Sequence, residues 1–144
     1  MPGNVPIKCE GSKLDALIGH RLVKVVRLAW HWPGEPDELN VGPVLLVFDD
    51  GRGLLLHGRS DWTLALTETD PGDDGWLDPY NYDYEGGRWW SRDASAEPPF
   101  ASLITRPLAH LEQIRNEVNE VIGLRLKFDG ETLTLKTWQG EIKT

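Results

Sequence analysis

The chain contains a single cysteine, Cys9, and this excludes an internal disulfide framework. No apolar run approaches the roughly 20 residues that a membrane-spanning helix requires. Residues 1–6 lack a basic region followed by an apolar segment, so we expect no secretory signal. Together these absences predict a cytoplasmic protein in a reducing compartment, with no membrane contact.

Basic residues are also scarce. Fifteen Lys and Arg stand against 23 Asp and Glu, which gives a formal net charge of −8. Binding to a nucleic-acid backbone needs basic surface, so we expect no nucleic-acid partner. The acidic balance is compatible with a basic protein partner, and it also has the simpler explanation that it keeps the protein soluble.

Motifs for catalysis and metal binding are missing. The sequence has no phosphate-binding glycine loop, no G-x-S-x-G and no nucleophile beside a base. None of its four histidines pairs with another at metal-ligand spacing. Residues 81–86 begin like a calcium-binding loop, but Arg92 stands where the bidentate glutamate belongs. We therefore predict no catalytic residue, metal or cofactor; the alternative is an enzyme site assembled in space near His57.

Two similar segments predict β-hairpins. Residues 44–57 and 124–136 each place alternating leucines around an Asp-Gly turn, whose residues suit the positive φ of a tight hairpin. The first strand of the first hairpin is apolar on both faces, as expected of a central strand, whereas the second hairpin is apolar on one face. The similarity has two interpretations, an internal duplication or the pattern that any half-buried hairpin shows.

Other patterns complete the predicted fold. Residues 21–32 are rich in β-branched and aromatic residues and predict a long strand with a bulge. Residues 107–121 begin with proline and repeat apolar residues at spacings of three and four, which predicts the one main helix. If the hairpin similarity extends upstream, part of residues 115–122 would instead form a strand. The predicted class is α+β and mostly β, with antiparallel sheets in a single domain over residues 1–144.

Residues 70–99 lack apolar periodicity and are expected to form a long acidic and aromatic loop. Within them, residues 75–90 hold three of the seven tryptophans and all three tyrosines, and no Lys or Arg lies between Arg59 and Arg88. Tyr and Trp are enriched at interface hot spots, and acidic charge steers a basic partner. The predicted binding residues are Trp76, Tyr80, Tyr82, Asp83, Tyr84, Trp89 and Trp90.

These features predict a non-enzymatic protein-binding module with a basic partner. A small, acidic, β-rich chain without a catalytic motif resembles, in class, the bacterial immunity proteins that neutralise toxins. The resemblance includes no shared motif, so no residue role is carried over from it. Two alternatives concern the same aromatic residues: they could bind a small molecule or a carbohydrate by stacking on sugar rings, or they could fold back over the open face of the sheet.

Overall fold

The computed structural model describes residues 16–37, 42–58, 63–72, 75–97, 99–138 and 141–143. One 3-10 helix, Gly75–Tyr80, lies among these residues. Their strands are, in chain order, β1 (Leu22–His31), β2 (Val44–Phe48), β3 (Gly53–Gly58), β4 (Leu64–Thr69), β5 (Asp83–Tyr84), β6 (Gly87–Asp93), β7 (Leu108–Arg115), β8 (Val121–Phe128), β9 (Glu131–Trp138) and β10 (Glu141–Lys143).

The strands form two antiparallel sheets. One has six strands in the order β4-β3-β2-β1-β6-β5, and the other has four in the order β10-β9-β8-β7. The prediction of a mostly β, antiparallel fold is confirmed. Strand β2, apolar on both faces, lies between β1 and β3 inside the larger sheet, which is the position that its sequence predicts. None of the described residues forms a helix with the length and apolarity of a membrane span.

The two sheets pack against each other through one apolar core. Alternating leucines of the central strands of both sheets are buried in it, among them Leu46, Leu54, Leu56, Leu124, Leu126, Leu133 and Leu135. Side chains of opposite phase in the smaller sheet, such as Lys127 and Thr132, are exposed. Burying one leucine contributes about 1.5–3 kcal/mol to stability. Burial of the many leucines of this core is therefore the main contribution that holds the two sheets together.

The helix predicted for residues 107–121 is wrong, because these residues form β7, a turn and the first residue of β8. Leu108 and Leu111 are both buried, although they lie three residues apart. The register of β7 against β8 shifts between Leu108 and His110. Such a bulge adds one residue to a strand and so places residues i and i+3 on one face, which imitates a helical spacing. Val118, which the helix would bury, is 69% exposed in the turn.

The prediction that the sheets are built from two similar hairpin units is not confirmed, and neither is the interpretation of these units as a duplication. Both hairpins lie inside an antiparallel meander, β2–β3 in the larger sheet and β8–β9 in the smaller one. Their turns differ in length, since Phe48 bonds to Arg52 in the first hairpin and Phe128 lies directly opposite Glu131 in the second. Alternating leucines therefore reflect a requirement that both hairpins share, namely one face on a common core.

The long strand predicted for residues 21–32 is present as β1, and its bulge lies between Leu22 and Lys24. The segment 70–99, expected to be a loop, contains the 3-10 helix and the β5–β6 hairpin. Strand β6 pairs with β1 from Arg88 to Asp93. The acidic and aromatic segment is therefore built into the larger sheet, and this fixes where its side chains lie.

Candidate functional site

Strands β1, β5 and β6 bring aromatic side chains together on one face of the larger sheet. Trp30 of β1 lies opposite Trp89 of β6, and Tyr84 of β5 lies opposite Gly87. Residues that face each other across an antiparallel pair share a face, so these side chains are neighbours. The turn between β5 and β6 has positive φ at Glu85 and at the following glycine, as a two-residue type I′ hairpin requires.

Six rings form a connected cluster that we call the aromatic corner. Trp30 is its centre, with ring centroids 5.0 Å from Trp89, 5.4 Å from Trp32 and 6.1 Å from Tyr82. Tyr84 lies 6.3 Å from Trp32, and Tyr80 lies 5.6 Å from Trp89. Most of these pairs meet edge to face, an arrangement that contributes about 0.5–1.5 kcal/mol beyond the buried area. The rings of the corner are Trp30, Trp32, Tyr80, Tyr82, Tyr84 and Trp89.

Gly87 makes room for this packing. A Cβ at this position would lie 2.6 Å from Cζ2 of Trp30 and 2.9 Å from ring atoms of Trp32. Real Cβ atoms do not approach other atoms that closely, so any side chain on Gly87 would displace the indole rings. The glycine is thus a structural requirement of the aromatic corner.

The corner has a half-buried base and an exposed rim. Trp30, Trp32 and Trp89 are half-buried, whereas Tyr82 is 51% exposed and Tyr84 is 58% exposed. The indole Nε1 of Trp89 donates a hydrogen bond of 3.0 Å to the Tyr82 hydroxyl. The exposed tyrosine rings are therefore held by fixed neighbours, as an aromatic binding surface requires. Burial raises the pKa of the Tyr80 phenol above its ordinary value.

The surroundings of the corner are acidic. Residues 63–72 and 75–87 contain no Lys or Arg, and the side chains of Asp78, Asp83 and Glu85 are exposed. Arg88 is an exposed cation on β6 close to the turn. The exposed charge next to the tyrosines is therefore mainly negative, and such a surface attracts cations and repels anions.

The structure gathers four of the seven predicted binding residues, Tyr80, Tyr82, Tyr84 and Trp89. Trp90 alternates with Trp89 along β6 and lies on the other face, opposite Ala29. Asp83 likewise alternates with Tyr84 and shares that other face with Arg88. Trp76 lines a separate pocket.

Sequence reasoning missed Trp30 and Trp32, which form the base of the corner. Trp30 belongs to the long strand β1, and Trp32 follows that strand directly. In the sequence, both residues indicate only that residues 21–32 form a strand. A usable signal was their shared phase, since residues at i and i+2 of a strand lie on one face. Two tryptophans on one face of a strand are either covered by another part of the protein or exposed to solvent.

A pocket of about 360 Å³ lies between the 3-10 helix and the same face of the larger sheet. Val26, Leu45 and Val47 form its apolar floor, and Trp76 and Leu77 form the opposite wall. Its polar lining is Lys24, Thr69, Asp70, Ser91, Arg92 and Asp93. Trp76 thus fits the alternative that the aromatic segment folds back over the sheet. Its side chain lies over the sheet and leaves a pocket between them.

Among the described residues, His20 lies beside two carboxylates and His31 lies beside one. His57 is half-buried on β3 opposite Ala65. His20 Nδ1 lies 2.7 Å from Oδ1 of Asp49, and His20 Nε2 lies 3.8 Å from Oδ2 of Asp50. The donor atoms of these three side chains lie within 4.8 Å of one another, close enough to hold a metal ion.

Hydrogen bonds within the protein explain the positions of both carboxylates of this group. Asp49 accepts from the His20 ring and from the main-chain N–H of Arg21, and these bonds lower the pKa of Asp49. Burial opposes a lower pKa at Asp50, but bonds from the main chain and guanidinium of Arg52 outweigh it and lower the pKa. The carboxylates are thus explained as parts of the β2–β3 turn and its contact with His20.

The fold and the site together define a protein of two packed antiparallel sheets that carries an exposed aromatic surface in an acidic setting. Comparison of the chain with protein-family models, curated proteins and solved structures found no match.

Proposed function

We propose that this protein is a non-enzymatic binding module for a basic protein partner, and that the aromatic corner is its contact surface. The observation that carries the proposal is the half exposure of Tyr82 and Tyr84, at 51% and 58%, above a packed tryptophan base. Tyrosine offers a large contact area with few rotatable bonds to immobilise, which is why it is frequent at interface hot spots.

Charge supports a basic partner. The chain has a net charge of −8, and Asp78 and Glu85, each within two residues of a tyrosine of the corner, are exposed. Acidic charge around an apolar contact increases the rate of encounter with a basic surface and disfavours acidic competitors. In this respect the protein resembles the class of bacterial immunity proteins, and a basic toxin is the kind of partner that the resemblance implies.

A capture experiment tests the proposal. Parent protein, the double variant Tyr82→Ala/Tyr84→Ala and the control His110→Ala/Val118→Ala are immobilised and exposed to lysate of the source organism. The control removes exposed side chains from the smaller sheet. We expect the parent and the control to capture the same basic protein, and the tyrosine variant to lose it while its thermal unfolding stays close to that of the parent. Equal capture by all three proteins contradicts the proposal.

Carbohydrate binding is the second candidate for the same surface. It is favoured because Tyr82 and Tyr84 expose their rings while neighbouring indoles hold them. Sugar rings stack on aromatic side chains of this kind, and the carboxylates of Asp78 and Glu85 would accept from hydroxyls. A glycan panel monitored by tryptophan fluorescence separates the candidates. A saturable response that the tyrosine variant lacks favours the carbohydrate, and a flat response rejects it.

A further inference from the structure

Among the described residues, the edge of the larger sheet is open along most of β6. Strand β5 pairs only with Gly87 and Arg88. Among the strands that the structure describes, none other than β1 pairs with residues 89–93. Ser91 and Asp93 are exposed. An unpaired edge of this kind presents main-chain donors and acceptors to an added strand.

The register shows which main-chain groups face this open edge. Leu28 lies opposite Ser91, yet its N–H bonds to the carbonyl of Pro43, on the side of β2. In an antiparallel pair, opposite residues exchange either two hydrogen bonds or none. Ser91 therefore directs its N–H and C=O away from β1 and toward the open edge. Asp93, two residues further along the strand, does the same.

The same stretch of β6 borders the pocket under the 3-10 helix. Ser91 and Asp93 line the pocket together with Val26, Trp76 and Leu77. Asp93 lies opposite Val26 of the pocket floor, and opposite residues share a face of the sheet. Ser91, two residues before Asp93, lies on that same face. A strand added beside Ser91 would thus direct alternate side chains over the pocket. Peptides that add to a sheet edge gain affinity from main-chain bonds and specificity from such side-chain pockets.

The charge of this region favours a basic segment. Asp70 and Asp93 lie on the rim of the pocket. Of the two cations on the rim, Arg92 forms an ion pair with Glu97, and the charge of Lys24 acts on Asp93. Counted with Glu97, the rim has three carboxylates against two cations, and the chain as a whole carries a net charge of −8.

We propose that an extended segment of the basic partner adds as a strand to β6 at Ser91 and Asp93 and inserts one apolar side chain into the pocket. This inference rests on the proposed function, because it specifies how the same partner is held. The aromatic corner then contacts the partner beside the added strand, since Trp89 and Ser91 lie on the same face of β6.

A displayed library of random linear peptides of about ten residues, long enough to span an added strand, is the probe. Peptides selected on the parent are measured against three variants. Ser91→Pro removes an N–H that faces the open edge, where proline is tolerated. Ser91→Ala keeps that N–H and is the matched control. Val47→Phe reduces the volume of the pocket, and thermal unfolding verifies the fold of each variant.

We expect selected peptides to combine Lys or Arg with alternating apolar residues. Loss of one or two main-chain bonds in Ser91→Pro should weaken their binding about tenfold, and Ser91→Ala, which keeps the N–H and removes only a hydroxyl from the pocket lining, should lose clearly less. Val47→Phe should weaken binding as well. If Ser91→Pro does not fold, methylation of alternate peptide nitrogens makes the same test on unaltered protein, and the expected loss is again about tenfold.

Two results would overturn this inference. One is that no peptide is enriched, or that selected peptides bind Ser91→Pro and the parent equally. The other is that the parent forms dimers that Ser91→Pro lacks, since a second copy would then occupy the edge. Neither result changes the capture experiment with Tyr82→Ala/Tyr84→Ala, so a failure of strand addition is distinguishable from a failure of the proposed function.

Discussion

At the scale of single residues, Arg27 joins the two sheets. Its side chain is 3% exposed, and its Nη2 donates to the carbonyls of Ile142 at 3.0 Å and of Gly42 at 3.3 Å. The bond to Ile142 connects β1 of the larger sheet with β10 of the smaller one. Removal of the side chain would leave both buried carbonyls without this charged donor.

We predict that Arg27→Ala lowers the free energy of unfolding by about 2–5 kcal/mol. Urea denaturation measures the loss, and Lys24→Ala, an exposed site on the same strand, is the control, with a change within about 0.5 kcal/mol. Equal, small losses in both variants would mean that the bonds of Arg27 contribute nothing to sheet packing.

Gly87→Ala tests the packing of the aromatic corner. The added Cβ would clash with Trp30 and Trp32, and overpacking of this kind costs about 1–3 kcal/mol. We expect a lower melting temperature together with a changed near-ultraviolet circular dichroism spectrum, because the indoles must move. Ser91→Ala on the same strand is the control and should leave both unchanged. An unaltered tryptophan spectrum in Gly87→Ala is the contradicting result.

Asp49 gives a prediction for pH. Hydrogen bonds from His20 and Arg21 hold the pKa of Asp49 below its ordinary value of 3.8. Protonation therefore favours the unfolded chain, so Asp49 stabilises the fold above about pH 4 and loses this effect as the pH falls through its folded-state pKa. Parent protein should melt at a higher temperature than Asp49→Asn at pH 6, and the difference should shrink toward pH 3. A pH-independent difference contradicts this account.

At the scale of elements, the segment that begins at Leu108 offers a direct test of strand against helix. A helix over residues 107–121 would bury both Leu111 and Val118, whereas the structure buries Leu111 to 8% exposure and leaves Val118 69% exposed. We predict that Leu111→Ala costs about 2–4 kcal/mol and that Val118→Ala costs less than about 0.5 kcal/mol. Comparable losses, measured by urea unfolding, would support the helix.

The elements also show what sequence patterns can convey. Strands β8 and β9 were predictable because their leucines alternate without interruption toward one core, and β2 was predictable because it is apolar on both faces. The bulge at Leu108 breaks that alternation in β7 and produces a helical spacing, and no local signal distinguishes the two. Strand β6 was not predicted, because Trp89 and Trp90 put aromatics on both faces and its partner, β1, lies about 60 residues earlier in the chain.

The candidate site was predictable in its composition and not in its geometry. The density of Tyr and Trp in residues 75–90 identified four rings of the aromatic corner. Its base, Trp30 and Trp32, comes from a distant strand that pairing alone brings near. Side chains alternate along β6, so Trp89 and Trp90 lie on opposite faces of the strand. Their adjacency in the sequence does not indicate this as long as the strand itself is not predicted.

At the scale of the whole molecule, the aromatic corner and the pocket lie on the side of the larger sheet that faces away from the shared core, and the open edge of β6 borders both. The most direct test is the dissociation constant of the captured partner for the parent and for Tyr82→Ala/Tyr84→Ala. We predict about thirtyfold weaker binding by the variant, and a parent association rate that falls as salt is added. Equal dissociation constants for the two proteins would contradict the account.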